Sequence, residues 1–201
     1  NMICRLTQEE HIKTGPDNLV QRLASCGRPV NMVKLRIVDD LNNDVVQGET
    51  GEIIVQGPHV MKGYWNNEKE TSEALRNGWL HTGDLARMDQ DGYVYIMDRK
   101  KDMIISGGLN VFSRNVEDTL CEHPKVVQAA VIGLPDPKWG ERLTGVVVLQ
   151  SGKKATSEEI IEFCKRMLTD YKGPKQIEII EEMPLPPVGK IDKKQLRSRF
   201  N

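Results

Sequence analysis

The sequence predicts two regions of different class: a mainly β segment, then an α+β domain with a small sheet flanked by helices. Three observations predict this. Short apolar runs bounded by glycine fill the first half, as in "GEIIVQG" (51–57). In the second half, apolar strands alternate with stretches of helical period. Between them lies a charged run, "DRKKD" (98–102), where neither pattern holds. Residues 1–98 and 99–201 are therefore expected to form separate domains, with the boundary at 98–101.

Residues 1–28 are polar and poorly periodic and read as a lead-in. "VKLRIVDD" (33–40) alternates as a strand should, with Val33, Leu35 and Ile37 on one face. "GEIIVQG" is a second strand. "NNEKETSEALRNG" (66–78) reads as a short helix closed by Gly78 as a C-cap. "LARMDQDGYVYIMD" (85–98) is a hairpin turning at Asp91-Gly92. Further on, Ser113 is placed to cap a helix carrying Val116, Leu120 and Cys121, which Pro124 stops. "VVQAAVIGL" (126–134) and "LTGVVVLQ" (143–150) are buried strands. "TSEEIIEFCKRML" (156–168) opens with a Thr-x-x-Glu capping box, and Ile160, Cys164, Met167 and Leu168 share a face. "QIEIIEEM" (176–183) is a third strand, and the tail from Asp192 is helical.

Composition excludes several function classes. With 28 basic and 29 acidic residues the net charge is −1, so no global field favours nucleic acid or an anionic membrane. No apolar run approaches the ~18 residues of a membrane span. The start, "NMICRLTQEEH", turns polar too soon for a signal peptide. Cys4, Cys26, Cys121 and Cys164 are far apart, without a C-x-x-C pair, which argues against zinc and against a disulfide framework. A reducing cytoplasm is the expected location.

One late stretch raises a question of its own. "PLPPVGKIDKKQLR" (184–197) puts a single lysine, Lys190, after a proline run and a glycine. It is no P-loop: Pro184 stands where the first glycine belongs and Ile191 follows the lysine. Taken alone, Lys190 reads as a solvated loop charge.

Its neighbours in the sequence give it a context. "GEIIVQGPHVMKGYWNN" (51–67), "GWLHTGDLARMDQDGYVYIMDRKKDMIISGG" (78–108), "LTDYKGPKQIEIIEEMP" (168–184) and "PPVGKID" (186–192) resemble acyl-CoA synthetases of the adenylate-forming (AMP-binding) superfamily. The stretches come in the family's order and at its spacing, and the resemblance covers residues 27–200. It implies that residues 1–98 are the end of the large N-terminal domain and 99–201 the mobile C-terminal domain. It implies a two-step reaction. ATP and a fatty or aryl carboxylic acid give an acyl-adenylate and pyrophosphate; coenzyme A then displaces AMP to form a thioester. The family's Ser/Thr/Gly-rich phosphate loop, acyl pocket and Mg2+-binding acid are not among these residues. The chain therefore reads as a piece of a synthetase that does not complete catalysis by itself.

The resemblance also implies roles, residue by residue. Asp84 in "HTGD" matches the aspartate that binds the nucleotide ribose, whose two hydroxyls a carboxylate can accept. His81 and Thr82 shape its turn. Ile96 matches an apolar position near the nucleoside, though a core strand residue would look the same. Arg99 matches an arginine close to ribose and phosphates. Lys101 holds the hinge position, while Lys100 reads as solvated. Gly107, Gly108 and Leu109 match the loop lining the pantetheine tunnel, where glycine lets a ligand approach the backbone. Leu109 and Asn115 depart from the commoner Glu, which weakens the thiol-side match. Trp139, Tyr171 and Lys175 fall where coenzyme A contacts occur, and an aromatic core role suits the first two equally. Lys190 matches the lysine that enters the active site for adenylation. There a carboxylate meets an α-phosphate, and a cation between the two anions stabilises the transition state. Two rival readings remain: an adenylation module that serves a carrier protein, and a binding domain that kept the fold without catalysis.

Overall fold

The computed structural model describes residues 2–169, 171–184 and 190–201. It divides into two compact units, Asn1–Lys101 and Asp102–Asn201.

Unit 1 is built on strands. The lead-in contributes a two-stranded ribbon, β1 (Cys4–Arg5) against β2 (Arg28–Pro29), with a short helix α1 (Asp17–Gln21) between. The main sheet then follows in chain order: β3 (Lys34–Val38), β4 (Gly51–Gln56), the helix α2 (Glu68–Ala74), β5 (Leu75–Arg76), β6 (Trp79–Met88) and β7 (Val94–Arg99). Its order is β3-β4-β6-β5, and β7 also pairs with β6, all antiparallel. Ile37, Ile53, Val55, Ala86 and Val94 form its buried apolar cluster.

The expected hairpin at Asp91-Gly92 is present, fixed by Asp89. Its carboxylate accepts the Asp91 and Tyr93 N–H groups at 3.0 and 2.9 Å. The expectation for Gly78 is corrected. Helix α2 ends at Ala74, and Leu75–Arg76 is already a strand paired with Leu80 and Trp79. Asn77 (φ 51°) and Gly78 (φ 79°) form the two-residue turn between them. An Asn-Gly pair favours this hairpin turn because both residues tolerate positive φ, so it ends a helical pattern one turn early.

Unit 2 layers helices on both faces of a mixed sheet. Its elements are β8 (Ile104–Ser106), β9 (Leu109–Val111), α3 (Ser113–Cys121), β10 (Val126–Asp136), β11 (Gly140–Leu149), α4 (Ser157–Met167), β12 (Gln176–Ile180) and α5 (Lys193–Phe200). The order is β10-β11-β8-β9, with β12 parallel to β11. Alternation along β10 separates two cores. Ala129 and Val131 join Val116 and Leu120 of α3 and Ile160 and Cys164 of α4. Ala130, Ile132 and Leu134 join Leu196 of α5 on the other face. Period-2 strands buried on both sides need apolar residues at successive positions, as in "AAVIGL" (129–134), whereas Val127 and Gln128 of the expected buried strand are exposed.

Three helix details differ from expectation. Ser113 is the first helical residue rather than the cap, and its hydroxyl accepts from Lys193 Nζ at 2.6 Å. Cys121 and Met167 are exposed, because each sits beyond the narrow stripe that meets the sheet. Thr156 does cap α4, accepting the Glu159 N–H at 3.2 Å, but the Glu159 side chain turns to Lys125 instead of completing the box. Among the described residues no helix is long and apolar enough to cross a membrane.

Leu120 is fully buried between α3 and the sheet. Leu120→Ala should lower the stability of unit 2 by about 3 kcal/mol through lost burial plus cavity. Urea unfolding, followed by a probe in that unit, measures it.

Candidate functional site

The strands β6 and β7 carry the first group. In β6 the register with β4 shifts between Glu52 and Ile54, so Thr82-Gly83-Asp84, between the paired His81 and Leu85, form a bulge instead of a free turn. Gly83 takes φ 71°, which a residue with Cβ rarely adopts. Thr82 Oγ1 stitches the bulge: it donates to the Ile53 carbonyl at 2.8 Å and accepts the Asp84 N–H at 3.1 Å. Bulges re-aim side chains. Here the bulge leaves the Asp84 carboxylate at the surface opposite Arg99 of β7, and Arg99 Nε lies 2.6 Å from Asp84 Oδ1. Asp84 and Arg99, both singled out in the sequence, thus form one ion pair. Ile96 lies on the same strand and is 38% exposed, so it is not a core residue.

Beneath this pair is a residue that sequence reasoning missed. Glu52 of β4 is 6% exposed and charged. One carboxylate oxygen accepts the Gly83 N–H at 3.1 Å. The other receives Lys100 Nζ at 3.1 Å and lies 3.3 Å from His81 Nδ1. Burial raises the pKa of such a group, but the Lys100 and His81 hydrogen bonds, the Lys100 charge and the Gly83 N–H outweigh it, and the carboxyl is held below its usual range. The available signal was a Glu at an inward position of an otherwise apolar strand. Lys100 is corrected with it: its ammonium bridges Glu52 and Asp40, the latter at 2.7 Å, and is no freely solvated charge. Lys101 follows in a single 3-10 turn, exposed, as the last residue of unit 1.

Unit 2 carries the second group. Gly107 (φ 59°) and Gly108 (φ 78°) form the two-residue turn of the β8–β9 hairpin. The Gly107 N–H donates to the Trp139 carbonyl at 2.8 Å, and a Cβ on Gly107 would lie 3.1 Å from the Trp139 ring. The indole therefore packs directly on the glycine backbone. Lys138 and Lys175 place their ammonium groups 4.9 and 5.5 Å from the ring centroid. The structure so brings Gly107, Trp139 and Lys175 together, with Gly108 and the half-exposed Leu109 at the tip. Tyr171 is exposed after α4, and Lys172 lies over its ring. Asn115 lies in the first turns of α3, its carbonyl accepting from Thr119 Oγ1 at 3.0 Å.

Lys190 is exposed. The Pro and Gly residues before it, 185–189, lie outside the described residues. Across that stretch the Asp192 N–H donates to the Pro184 carbonyl at 3.0 Å, so the two ends of the segment are held together. Among the described residues there is no group of three or more His, Cys, Asp or Glu placed to hold a metal ion.

Comparison with known proteins gives consistent matches. The sequence model described as AMP-binding enzyme matches residues 4–65, and that of the AMP-binding enzyme C-terminal domain matches 115–190. The chain is 48% identical over 191 residues to a medium/long-chain-fatty-acid–CoA ligase, FadD8, of Mycobacterium tuberculosis, covering 92% of this chain and 34% of that protein. It is 43% identical over 183 residues to a feruloyl-CoA synthase of an Amycolatopsis species, covering 91% and 37%. A solved o-succinylbenzoate CoA synthetase of Bacillus subtilis, in complex with its acyl-adenylate intermediate, matches with TM-score 0.86 and 35% identity over 97% of this chain and 38% of that one. The amide bond synthetase McbA of Marinactinospora thermotolerans matches with TM-score 0.81 and 38% identity over 90% and 37%. The chain thus spans about a third of the length of the curated relatives it matches.

The Glu52 network has a pH signature. A carboxyl depressed on folding contributes stability above its unfolded value, near 4.3, and loses it as pH falls through the lower folded value. Glu52→Gln should therefore lower the stability of unit 1 by about 2 kcal/mol at neutral pH, the scale of hydrogen bonds to a charged group. It should also flatten the decline below pH ~4.3. Denaturant unfolding between pH 3 and 8 reads both effects.

Proposed function

We infer, from the premise that the chain belongs to the AMP-binding enzymes, that the full-length protein is an acid–thiol ligase. It activates a fatty or aryl carboxylic acid with ATP and transfers the acyl group to coenzyme A. The observation that carries this reading is the Asp84–Arg99 pair, held at the surface by two register shifts with apolar Ile96 on the same strand. A carboxylate and a planar cation side by side suit a ribose diol and an adjacent phosphate. An exposed aliphatic nearby suits the base.

In the first half-reaction the acid's carboxylate attacks the α-phosphorus of ATP. A P–O bond forms, the bond to the bridging oxygen breaks, and pyrophosphate leaves. Asp84 orients the ribose, Arg99 approaches the phosphates, and Lys190 supplies a positive charge where two anions converge. Magnesium would travel with ATP and neutralise part of its phosphate charge.

In the second half-reaction the coenzyme A thiolate attacks the acyl carbon, and AMP leaves. The Gly107–Gly108 turn offers backbone that a pantetheine chain can approach, beside Leu109. Trp139, with Lys138 and Lys175 near its ring, suits a nucleotide whose base stacks and whose phosphates are anionic. Tyr171 and its neighbour Lys172 offer a second such contact. Lys190 and the glycine turn lie on the same unit, so a rotation about Lys101 presents them in turn. One structural neighbour is an amide bond synthetase, so the acceptor needs its own test. Turnover with free coenzyme A supports this reading over one that requires a carrier protein or an amine.

Two variants of the full-length protein separate the steps. Lys190→Ala should slow acyl-adenylate formation on the order of 10²–10³-fold, the usual loss for one preorganised charge contact. Thioester formation from supplied acyl-adenylate should stay within several-fold. Equal loss in both steps returns Lys190 to an ordinary loop charge. Lys101→Pro fixes the hinge backbone. Adenylate should still form while thioester formation falls sharply; single-turnover assays of each half-reaction decide.

A further inference from the structure

Lys190 must be both movable and well aimed. Its surroundings show how the aim is set. The segment that bears it is closed at its base by the Asp192–Pro184 hydrogen bond. Met183 before it and Leu196 after it are buried in one apolar cluster. Helix α5 starts two residues beyond Ile191, capped by Asp192, whose carboxylate accepts the Gln195 N–H at 3.0 Å.

The first residue of α5 is a lysine. A cation there opposes the helix macrodipole, so its placement needs a tertiary reason. Lys193 Nζ lies 2.7 Å from Glu117 Oε1 and donates to Ser113 Oγ at 2.6 Å, and all three side chains are largely buried. Glu117 Oε1 is fixed in turn by the Val131 N–H at 2.8 Å. One turn along α5, Arg197 donates to Asp102 Oδ1 at 3.2 Å. Asp102 is the first residue of unit 2 and directly follows Lys101. Its side chain is 14% exposed, so this is not a loose surface pair.

We propose that Arg197 is a positioning residue for adenylation: its bond to Asp102 ties the helix behind Lys190 to the chain that leaves the hinge. Around its buried Leu196, helix α5 is then held by two polar contacts, Lys193 on Glu117 and Arg197 on Asp102. Rotation at Lys101 reaches Lys190 without slack. Without the Arg197 bond, orientation rests on Lys193 and on apolar packing at Leu196, which is less directional, and the lysine ahead of the helix loses its aim. A displacement near 1 Å is enough to slow a reaction strongly. This proposal rests on the function inferred above.

The test uses the full-length protein and single-turnover assays of both half-reactions. Arg197→Met keeps the aliphatic stem and removes the charge. It should slow adenylation about tenfold, within the range that misplacement of a catalytic group produces. The KM values for ATP and acid, and thioester formation from supplied adenylate, should stay within about twofold. Arg197→Lys should recover most of the loss. The double variant Lys190→Ala/Arg197→Met should be no slower than Lys190→Ala, because Arg197 acts through that lysine. If Arg197→Met folds poorly, Asp102→Asn breaks the same bond from the other side and must give the same split. Wild-type adenylation by Arg197→Met, equal losses in both half-reactions, or multiplying losses in the double variant would each overturn the proposal. If Lys190→Ala itself adenylates at the wild-type rate, the functional reading fails first. If Lys190→Ala is slow and Arg197→Met is not, only this inference fails.

Discussion

A carboxylate buried in a sheet must find partners, and at Glu52 that necessity organises the ends of three strands. Left alone, its charge would cost several kcal/mol in desolvation. It is instead satisfied by Gly83 N–H, His81 and Lys100. Those partners flank the residues that face solvent: Gly83 precedes Asp84, and Lys100 follows Arg99. The Asp84–Arg99 pair is therefore the outer layer of a polar network whose inner layer is Glu52. The outer pair alone, partly exposed, would hold little geometry, since such pairs are worth 0–1 kcal/mol or so. The buried partner gives it a fixed place.

Unit 2 solves a different problem with a different device. Its sheet is apolar on both faces, so helices α3 and α4 cover one and α5 the other. The polar contacts run around the edge of this sandwich. Lys193 joins α5 to α3 through Glu117, although the two helices pack on opposite faces of β10. Leu109 at the tip of the glycine hairpin and Lys190 are among the residues that this unit exposes.

Much of this was legible in the sequence, and the failures have physical reasons. The strand-rich first half and the α+β second half follow from period and from glycine punctuation. The Asp91-Gly92 hairpin and the Thr156 cap follow from short-range chemistry that needs no tertiary context. Gly78 reads as a helix cap in sequence because an Asn-Gly pair ends a helix and starts a hairpin with the same residues; only the partner strand β6 distinguishes them. Ser113 looked like a cap because its true partner, Lys193, is 80 residues away. Asp84 and Arg99 stood out as residues, but their contact depends on bulges that no local pattern announces. Glu52 was hidden for the same reason: its partners come from two other segments.

Charge placement bears on how a nearly neutral chain would meet the anionic ligands proposed for it. With a net charge of −1 there is no long-range field to gather nucleotides. Each anion must be met locally. Arg99 is held beside Asp84, which keeps the cation in place and leaves the pair close to neutral until a ligand adds its own charge. Lys138 and Lys175 flank one indole, so aromatic and electrostatic contacts coincide on a single platform. Lys190 is exposed, two residues before Asp192, whose N–H is bonded to the Pro184 carbonyl. In the proposed reaction Lys190 works in one step and leaves before the next, and a permanent partner would hinder that. A buried ion pair would fix it, and a global field would make its position irrelevant. For the proposed reaction, discrete and separately anchored cations would let one of them move while the others stay.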